Sequence, residues 1–278
     1  MSKKRLYISA DIEGVAGVVS GQHTMPAGFE YQQAREWYTA EVIAVCEAAF
    51  EKGIEEVVVS DSHGNGQSLL IDKLPDNVQL IRSWPRPLCM MEGVEVGDYV
   101  GAMLIGYHSG ASDMHGVLAH TMHGGAIHEV RLNGEVASET VISAATAAHF
   151  GVPVIMVSGC DAYIDHAQSV LPGVEGVVTK WTSSHTCARM LKPVVAQANI
   201  AAGASAALSR LDSFTAKPLP NQIEAEIDCI SRRGAELFAY LPNVERLSAH
   251  TIRFVGKDMV EVSQFFQFAI ASGALTPQ

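Results

Sequence analysis

Residues 6–14 read LYISADIEG, an uncharged run that ends abruptly in acids and glycine. Leu, Tyr, Ile and Ala in succession fit a buried strand, and the Asp-Ile-Glu-Gly from Asp11 fits the loop at its end. Working outward, Trp37, Val42, Val45, Ala49 and Phe50 recur at helical spacing over 30–52, and Gly53 closes that segment. Residues 56–60 hold three valines and run into Asp-Ser-His-Gly-Asn-Gly from Asp61. Strand, helix and strand in succession imply a parallel pair, because parallel neighbours need a long crossover and the helix supplies it. Further strands at 78–81 and 99–105 extend the sheet, the second ending in Gly-Tyr-His-Ser-Gly from Gly106. The expected fold is α/β, a mixed and mainly parallel sheet flanked by helices.

Later segments change character. Residues 127–132 followed by Asn133-Gly134 carry a hairpin signal. A helix over 136–150, a buried strand over 153–158 and a helix over 162–171 follow. A short strand at 176–179 then leads into an Ala-rich helix over 184–211. Residues 212–221, with Pro218 and Pro220, read as a linker. Beyond them 223–230 alternates apolar and charged residues as a half-exposed strand does. A helix over 232–240, a strand over 248–254 and a helix after Gly256 complete the chain. The expectation is a catalytic α/β domain over 1–211 and a small C-terminal α+β lobe over 222–278, with one integrated domain as the alternative.

Composition narrows the partners. With 19 basic against 30 acidic side chains among 278 residues, the formal charge of −11 opposes nucleic acid and anionic membrane surfaces. Cys46, Cys89, Cys160, Cys187 and Cys229 show no C-x-x-C spacing and read as buried free thiols in a reducing compartment. Asp11 and Glu13 interrupt the apolar stretch after the basic start too early for a signal-peptide core, so a cytoplasmic protein is expected. Residues 140–160 lack charge, but Ser143, His149, Gly151 and Pro153 fit a helix, a turn and a strand better than a membrane span.

Four segments deliver metal-type ligands where apolar runs end: Asp11 with Glu13, Asp61 with His63, His108, and Glu139. Residues two apart in a strand share a face, so each of the first two pairs presents two donors to one side. In open α/β sheets ligands gather beyond the carboxyl ends of the strands, where these residues converge. Carboxylates that close repel one another unless a cation neutralises them. Mixed carboxylate and imidazole donors suit zinc or another first-row ion. More donors than the three of a single catalytic zinc make two ions with a bridging Asp11 a natural arrangement. Asp61 is either a ligand or a residue that orients one through a hydrogen bond. By spacing alone Glu139 is weak, since the first turn of a helix favours an acid regardless of function.

The stretch 108–123, HSGASDMHGVLAHTMH, holds four histidines. His120, followed by Thr-Met-His-Gly-Gly, is the candidate acid or base. His115 is a candidate for the pocket lining, and Lys180, after a valine-rich strand, for a substrate carboxylate or an oxyanion. No G-x-G-x-x-G follows a strand, and G-x-x-x-x-G-K-S/T, G-x-S-x-G and H-E-x-x-H are missing, which removes support for dinucleotide, P-loop, serine-hydrolase and zincin chemistry. A related metal-dependent amidase or esterase, a noncatalytic peptide- or metal-binding protein, and aspartyl-phosphate chemistry at Asp11 remain alternatives.

Five ordered motifs also resemble a known family. Ser9-Ala10-Asp11-Ile12-Glu13-Gly14, Ser60-Asp61-Ser62-His63, Gly106-Tyr107-His108, His120-Thr121-Met122, and Asn133-Gly134 with Glu139 beyond are similar to the D-aminopeptidases of the DppA type, dinuclear zinc peptidases. The resemblance covers about the first 160 residues and is looser beyond, at Lys180 among others. It implies that Asp11, Glu13, His63, His108 and Glu139 hold two zinc ions and that His120 is the catalytic histidine. It further implies a short-peptide substrate beginning with a D-residue such as D-alanine, and a ring-like homo-oligomer.

Overall fold

The computed structural model describes residues 3–276. Strand β1 (Arg5–Ala10) is followed by a single helical turn, α1 (Gly21–Thr24), and the long helix α2 (Tyr31–Glu51). Strands β2 (Glu56–Asp61), β3 (Val78–Ile81) and β4 (Tyr99–Ile105) come next. The hairpin β5 (Ile127–Leu132) and β6 (Glu135–Val136) precedes helix α3 (Glu139–His149), strand β7 (Val154–Cys160) and helix α4 (Asp161–Val170). Then follow β8 (Glu175–Ser184), β9 (Cys187–Met190) and α5 (Pro193–Leu208). The chain ends with β10 (Ile223–Cys229), α6 (Arg232–Phe238), β11 (Val244–Arg246), β12 (Thr251–Gly256) and α7 (Met259–Ala271).

Seven strands form the main sheet in the order β3-β2-β1-β4-β7-β8-β9, all parallel except the edge strand β9. The fold class matches the expectation. Strand β1 shows why. Leu6, Ile8 and Ala10 enter the core beneath α2 and α5, while Tyr7 enters the core on the opposite face, with Tyr163 and Ile164 of α4. A strand buried on both faces must be apolar throughout, and fully burying each Leu or Ile contributes about 1.5–3 kcal/mol. The chain runs outward from β1 to β2 and β3, then returns to place β4 on the other side of β1. The crevice between the ends of β1 and β4 is therefore the switch point at which open α/β sheets bind ligands.

The second sheet, β11-β12-β10-β5-β6, is antiparallel and is covered by α6 and α7. It takes β5 and β6 from before the segment 212–221 and three strands from after it. Burial alternates along β10 as the sequence pattern predicts. Two expectations need correction. The helix expected over 184–211 starts at Pro193, and the stretch before it is β9, paired with β8; proline at the first helical position marks that start. In this hairpin Arg189 lies over the Trp181 ring, 4.3 Å from its centroid. Cys187, also in β9, is exposed, whereas Cys46, Cys89, Cys160 and Cys229 are buried; all five are free thiols. No helix among the described residues is long and apolar enough to cross a membrane.

Candidate metal centre

The loops leaving β1 and β4 press backbone against backbone. Gly14 N–H donates to Gly106 C=O at 2.7 Å, and a Cβ on Gly14 would stand 2.1 Å from the Tyr107 carbonyl oxygen. Gly106 has φ of +71°, where a side chain is strained, and a Cβ there would meet the Asp11 carbonyl oxygen at 2.1 Å. Only glycine at both positions lets Asp11 and His108 approach each other.

Two groups of donors result. Asp11, Glu13 and His63 form one, and His108, His120 and Glu139 the other, with candidate ligand atoms in each group lying within 4.8 Å of one another. Asp11 joins them: its Oδ1 lies 3.3 Å from His63 Nδ1, and its Oδ2 lies 3.3 Å from His108 Nε2. Glu13 Oε2 is 3.1 Å from His63 Nδ1, and Glu139 Oε2 is 3.3 Å from His108 Nε2. All three carboxylates are buried.

The tautomers are fixed from behind. His63 Nε2 lies 2.8 Å from the Thr24 carbonyl, His108 Nδ1 2.9 Å from that of Ser109, and His120 Nδ1 2.8 Å from that of Leu118. A carbonyl only accepts, so each of these nitrogens carries the hydrogen, and the opposite nitrogen of the neutral ring presents a lone pair to the centre. A lone pair facing a buried carboxylate repels it, so a proton or a metal ion must lie between them. His108 Nε2 is fully buried and makes no hydrogen bond to either nearby oxygen, as a ligand nitrogen facing a cation position would be. The donor set fits a metal centre of nitrogen and oxygen ligands.

The electrostatics agree. Burial pulls His63 down, but the Glu13 and Asp11 carboxylates outweigh it and hold the imidazole well above its ordinary range. Burial likewise opposes, and Glu139 with Asp11 outweighs it, in raising His108 well above its range. Burial would raise Asp11, yet His108 and His63 hold it well below the usual carboxylate range. The pocket is thus built for compensating positive charge.

His120 differs from the others. Its side chain is 27% exposed, stacks on His108 at 4.1 Å between centroids, and has Nε2 3.9 Å from Glu139 Oε1. That oxygen already accepts the Met122 backbone N–H at 2.6 Å. Leu118 and Met122, which supply these two backbone contacts, both have positive φ, 52° and 61°, at a cost of about 1–3 kcal/mol each.

Three expected residues lie elsewhere. Asp61 gives both oxygens to other partners, accepting from Tyr38 Oη at 3.2 Å and from Leu69 N–H at 2.7 Å. It therefore fastens the loop after β2 to α2 and neither joins nor orients His63. Lys180 is fully buried, and its ammonium donates to the backbone carbonyls of Glu13, Val15 and Val18, the Val15 contact being 2.9 Å. It clasps the loop that presents Glu13 and meets no open pocket. His115 is exposed, its own N–H turned to Asp113 Oδ1 at 2.8 Å. Sequence reasoning missed the carbonyls of Thr24, Ser109 and Leu118, and also buried Glu41, which accepts the Ala16 N–H at 2.9 Å behind the same loop.

Comparison with known proteins meets this geometry. Residues 4–268 match the peptidase M55 family, described as D-aminopeptidase. A D-aminopeptidase of Bacillus subtilis (strain 168) is 30% identical over 261 residues, 94% of this chain and 94% of that protein. The solved structure of the Zn-dependent D-aminopeptidase DppA from Bacillus subtilis, a self-compartmentalizing protease, matches with a TM-score of 0.92 and 28% identity, over 98% of this chain and 97% of that one. With the family match spanning residues 4–268, which include both sheets and every donor of the centre, this chain belongs to the M55 D-aminopeptidase family and is a peptidase, a hydrolase of peptide bonds.

Proposed function

We propose that this chain is a zinc-dependent aminopeptidase that releases the N-terminal residue of short peptides, with preference for a D-residue such as D-alanine. One observation carries the reading: three imidazoles, each with its far N–H given to a backbone carbonyl, turn their lone pairs on buried carboxylates. Likeness to a Zn-dependent D-aminopeptidase over nearly the whole chain supports the metal and the substrate class. Asp11, Glu13 and His63 would hold one zinc ion, and His108 with Glu139 a second, the Asp11 carboxylate being shared. Bound there, zinc supplies Lewis acidity and makes water a stronger acid near neutral pH.

The chain's own residues do the rest. His120 keeps its Nδ1 hydrogen on the Leu118 carbonyl, so Nε2 of this partly exposed side chain is poised to accept a proton. It takes the proton from the water that adds to the scissile carbonyl carbon. As the carbon–nitrogen bond breaks, it returns that proton to the departing amine nitrogen. Glu139 holds Met122 through the backbone N–H, which keeps the loop bearing His120 in place. Stacking on His108 limits rotation of the His120 ring.

We further place the enzyme in the cytoplasm, as a ring-like homo-oligomer with sites facing an inner space. Free thiols, four of them buried, support the compartment, and the likeness to a self-compartmentalizing protease supports the assembly. The test is elemental analysis of the purified protein together with release of D-alanine from D-Ala-D-Ala against L-Ala-L-Ala. About two zinc ions per chain and faster D-peptide turnover are expected. Zinc with turnover of other amides or esters alone rejects the substrate, and failure to take up zinc rejects the centre.

A further inference from the structure

Beneath the centre runs a chain of four buried hydroxyls, from the segments that deliver Asp11 with Glu13, His63, His108 and Glu139. Ser9 stands two residues before Asp11, Ser62 adjoins His63, Tyr107 adjoins His108, and Ser143 lies one helical turn beyond Glu139 in α3. Ser62 Oγ is 3.0 Å from Ser9 Oγ, which is 2.7 Å from Tyr107 Oη, which in turn is 3.3 Å from Ser143 Oγ. The Met90 carbonyl caps the chain, 2.9 Å from both Ser9 Oγ and Ser62 Oγ. The chain can be satisfied throughout, for instance with Ser143 donating to Tyr107, Tyr107 to Ser9, and Ser9 and Ser62 both to the Met90 carbonyl, which has two lone pairs. Buried hydroxyls linked in this way polarise one another, and each link has one favoured length.

Packing does not require these hydroxyls, because phenylalanine at 107 and alanine at 143 would fill nearly the same volume without a polar group to satisfy. What they add is position. The ladders between β1, β2 and β4 end at Ala10, Asp61 and Ile105 and so bring together the loops that carry Asp11, Glu13, His63 and His108, but α3 belongs to no ladder. Tyr107 bonds across that gap, from the residue beside His108 to the helix that carries Glu139.

We infer that Tyr107, through Ser9 and Ser143, is a positioning residue that fixes the spacing between the sheet-borne donors and Glu139, and so sets the affinity of the His108 and Glu139 half for its ion. The inference rests on the zinc reading given above. It concerns a residue that touches neither ion nor substrate.

The experiment measures stepwise zinc affinity by chelator competition in full-length wild type, Tyr107→Phe and Tyr99→Phe. Tyr99→Phe is the matched control, since it deletes a buried tyrosine hydrogen bond of 2.9 Å to the Gly93 carbonyl at the far end of β4. Expected is a loss of about 10–100-fold in one of the two affinities for Tyr107→Phe, with the other and both affinities of Tyr99→Phe unchanged. A cobalt-loaded Tyr107→Phe protein should also show a shifted d–d spectrum. Tyr107→Phe with wild-type affinities and only a lowered Tm overturns the inference, as do equal losses in both variants. Wild type that takes up no zinc overturns the underlying metal reading, which is a distinguishable failure. Should Tyr107→Phe not fold, Ser143→Ala removes the same tie from the helix side and is read in the same assay.

Discussion

The two halves of the centre are held by different means. Asp11, Glu13 and His63 leave β1 and β2, whose parallel ladder runs to Ala10 opposite Asp61, so backbone pairing brings their loops together. His108 leaves β4, but its companions come from outside the sheet. Glu139 opens a helix that follows two strands of the second sheet, and His120 sits in a loop where Leu118 and Met122 hold positive φ. The ladder sets these loops side by side and buried Lys180 and Asp61 fasten them with no positive-φ non-glycine residue, whereas the second half has no ladder beneath Glu139 and rests on strained backbone at Leu118 and Met122. The first half should therefore be robust, and the second more readily adjusted through evolution or mutation.

The sharpest way to break the comparison is the residue that belongs to both halves. Asp11→Asn removes the charge that faces His63 and His108 together and should empty both halves. The expected loss in kcat/KM is about ten-thousandfold, ~5 kcal/mol of transition-state stabilisation. Elemental analysis should show neither ion. Retention of one full ion would show that the halves bind independently.

Lys180 tests the support of the first half alone. Lys180→Met strands three buried carbonyls of the 13–18 loop and leaves Glu41 without its cationic neighbour. A cost of about 4 kcal/mol in folding stability is expected from denaturant unfolding. The ion at Asp11, Glu13 and His63 should weaken while the other stays. Loss of both ions to the same degree would place Lys180 under the whole fold.

His120 tests the second half in the opposite sense. His120→Gln should cost about a hundredfold in kcat, ~3 kcal/mol, with the metal content of wild type. An emptied second half would instead make His120 a ligand, consistent with its place beside Glu139.

The same contrast explains what is legible in the sequence. Asp11, Glu13, His63 and His108 stand at or just past the ends of apolar runs, and in a parallel sheet those ends gather in one crevice. Glu139 is not legible by spacing, because Ser138 caps α3 and an acid at the first helical position is favoured with no function at all. Only resemblance singles it out. Asp61 shows where period-two reasoning stops. The strand continues to Asp61, so its side chain obeys the alternation, but His63 lies past the end, where the chain turns towards Gly64 at φ +54°. Lys180 is misread as a substrate contact because converging carbonyls leave no trace in composition. The carbonyls of Thr24, Ser109 and Leu118 are silent for the same reason, since every residue has one.

The smallest effect concerns the buried acid behind the first half. Burial raises the Glu41 carboxyl to about 8 from an ordinary 4.5, with the Ala16 N–H and Lys180 opposing. Between those values the folded chain keeps a proton that the unfolded chain has released, so this group's contribution to stability falls as pH rises from about 4.5 to 8. Burial lowers Lys180 to about 8 from 10.5, which acts in the other direction above pH 8, where the unfolded chain holds the extra proton. Glu41→Gln keeps an oxygen for the Ala16 N–H but has no proton to lose. Relative to wild type it should gain about 2 kcal/mol between pH 6 and pH 8, read from denaturant midpoints at each pH. Parallel pH profiles in the two proteins would mean that Glu41 is ionised in the fold and paired with Lys180. The loop presenting Glu13 would then be held by an ion pair, and the first half would depend on side-chain charge as much as the second depends on strain.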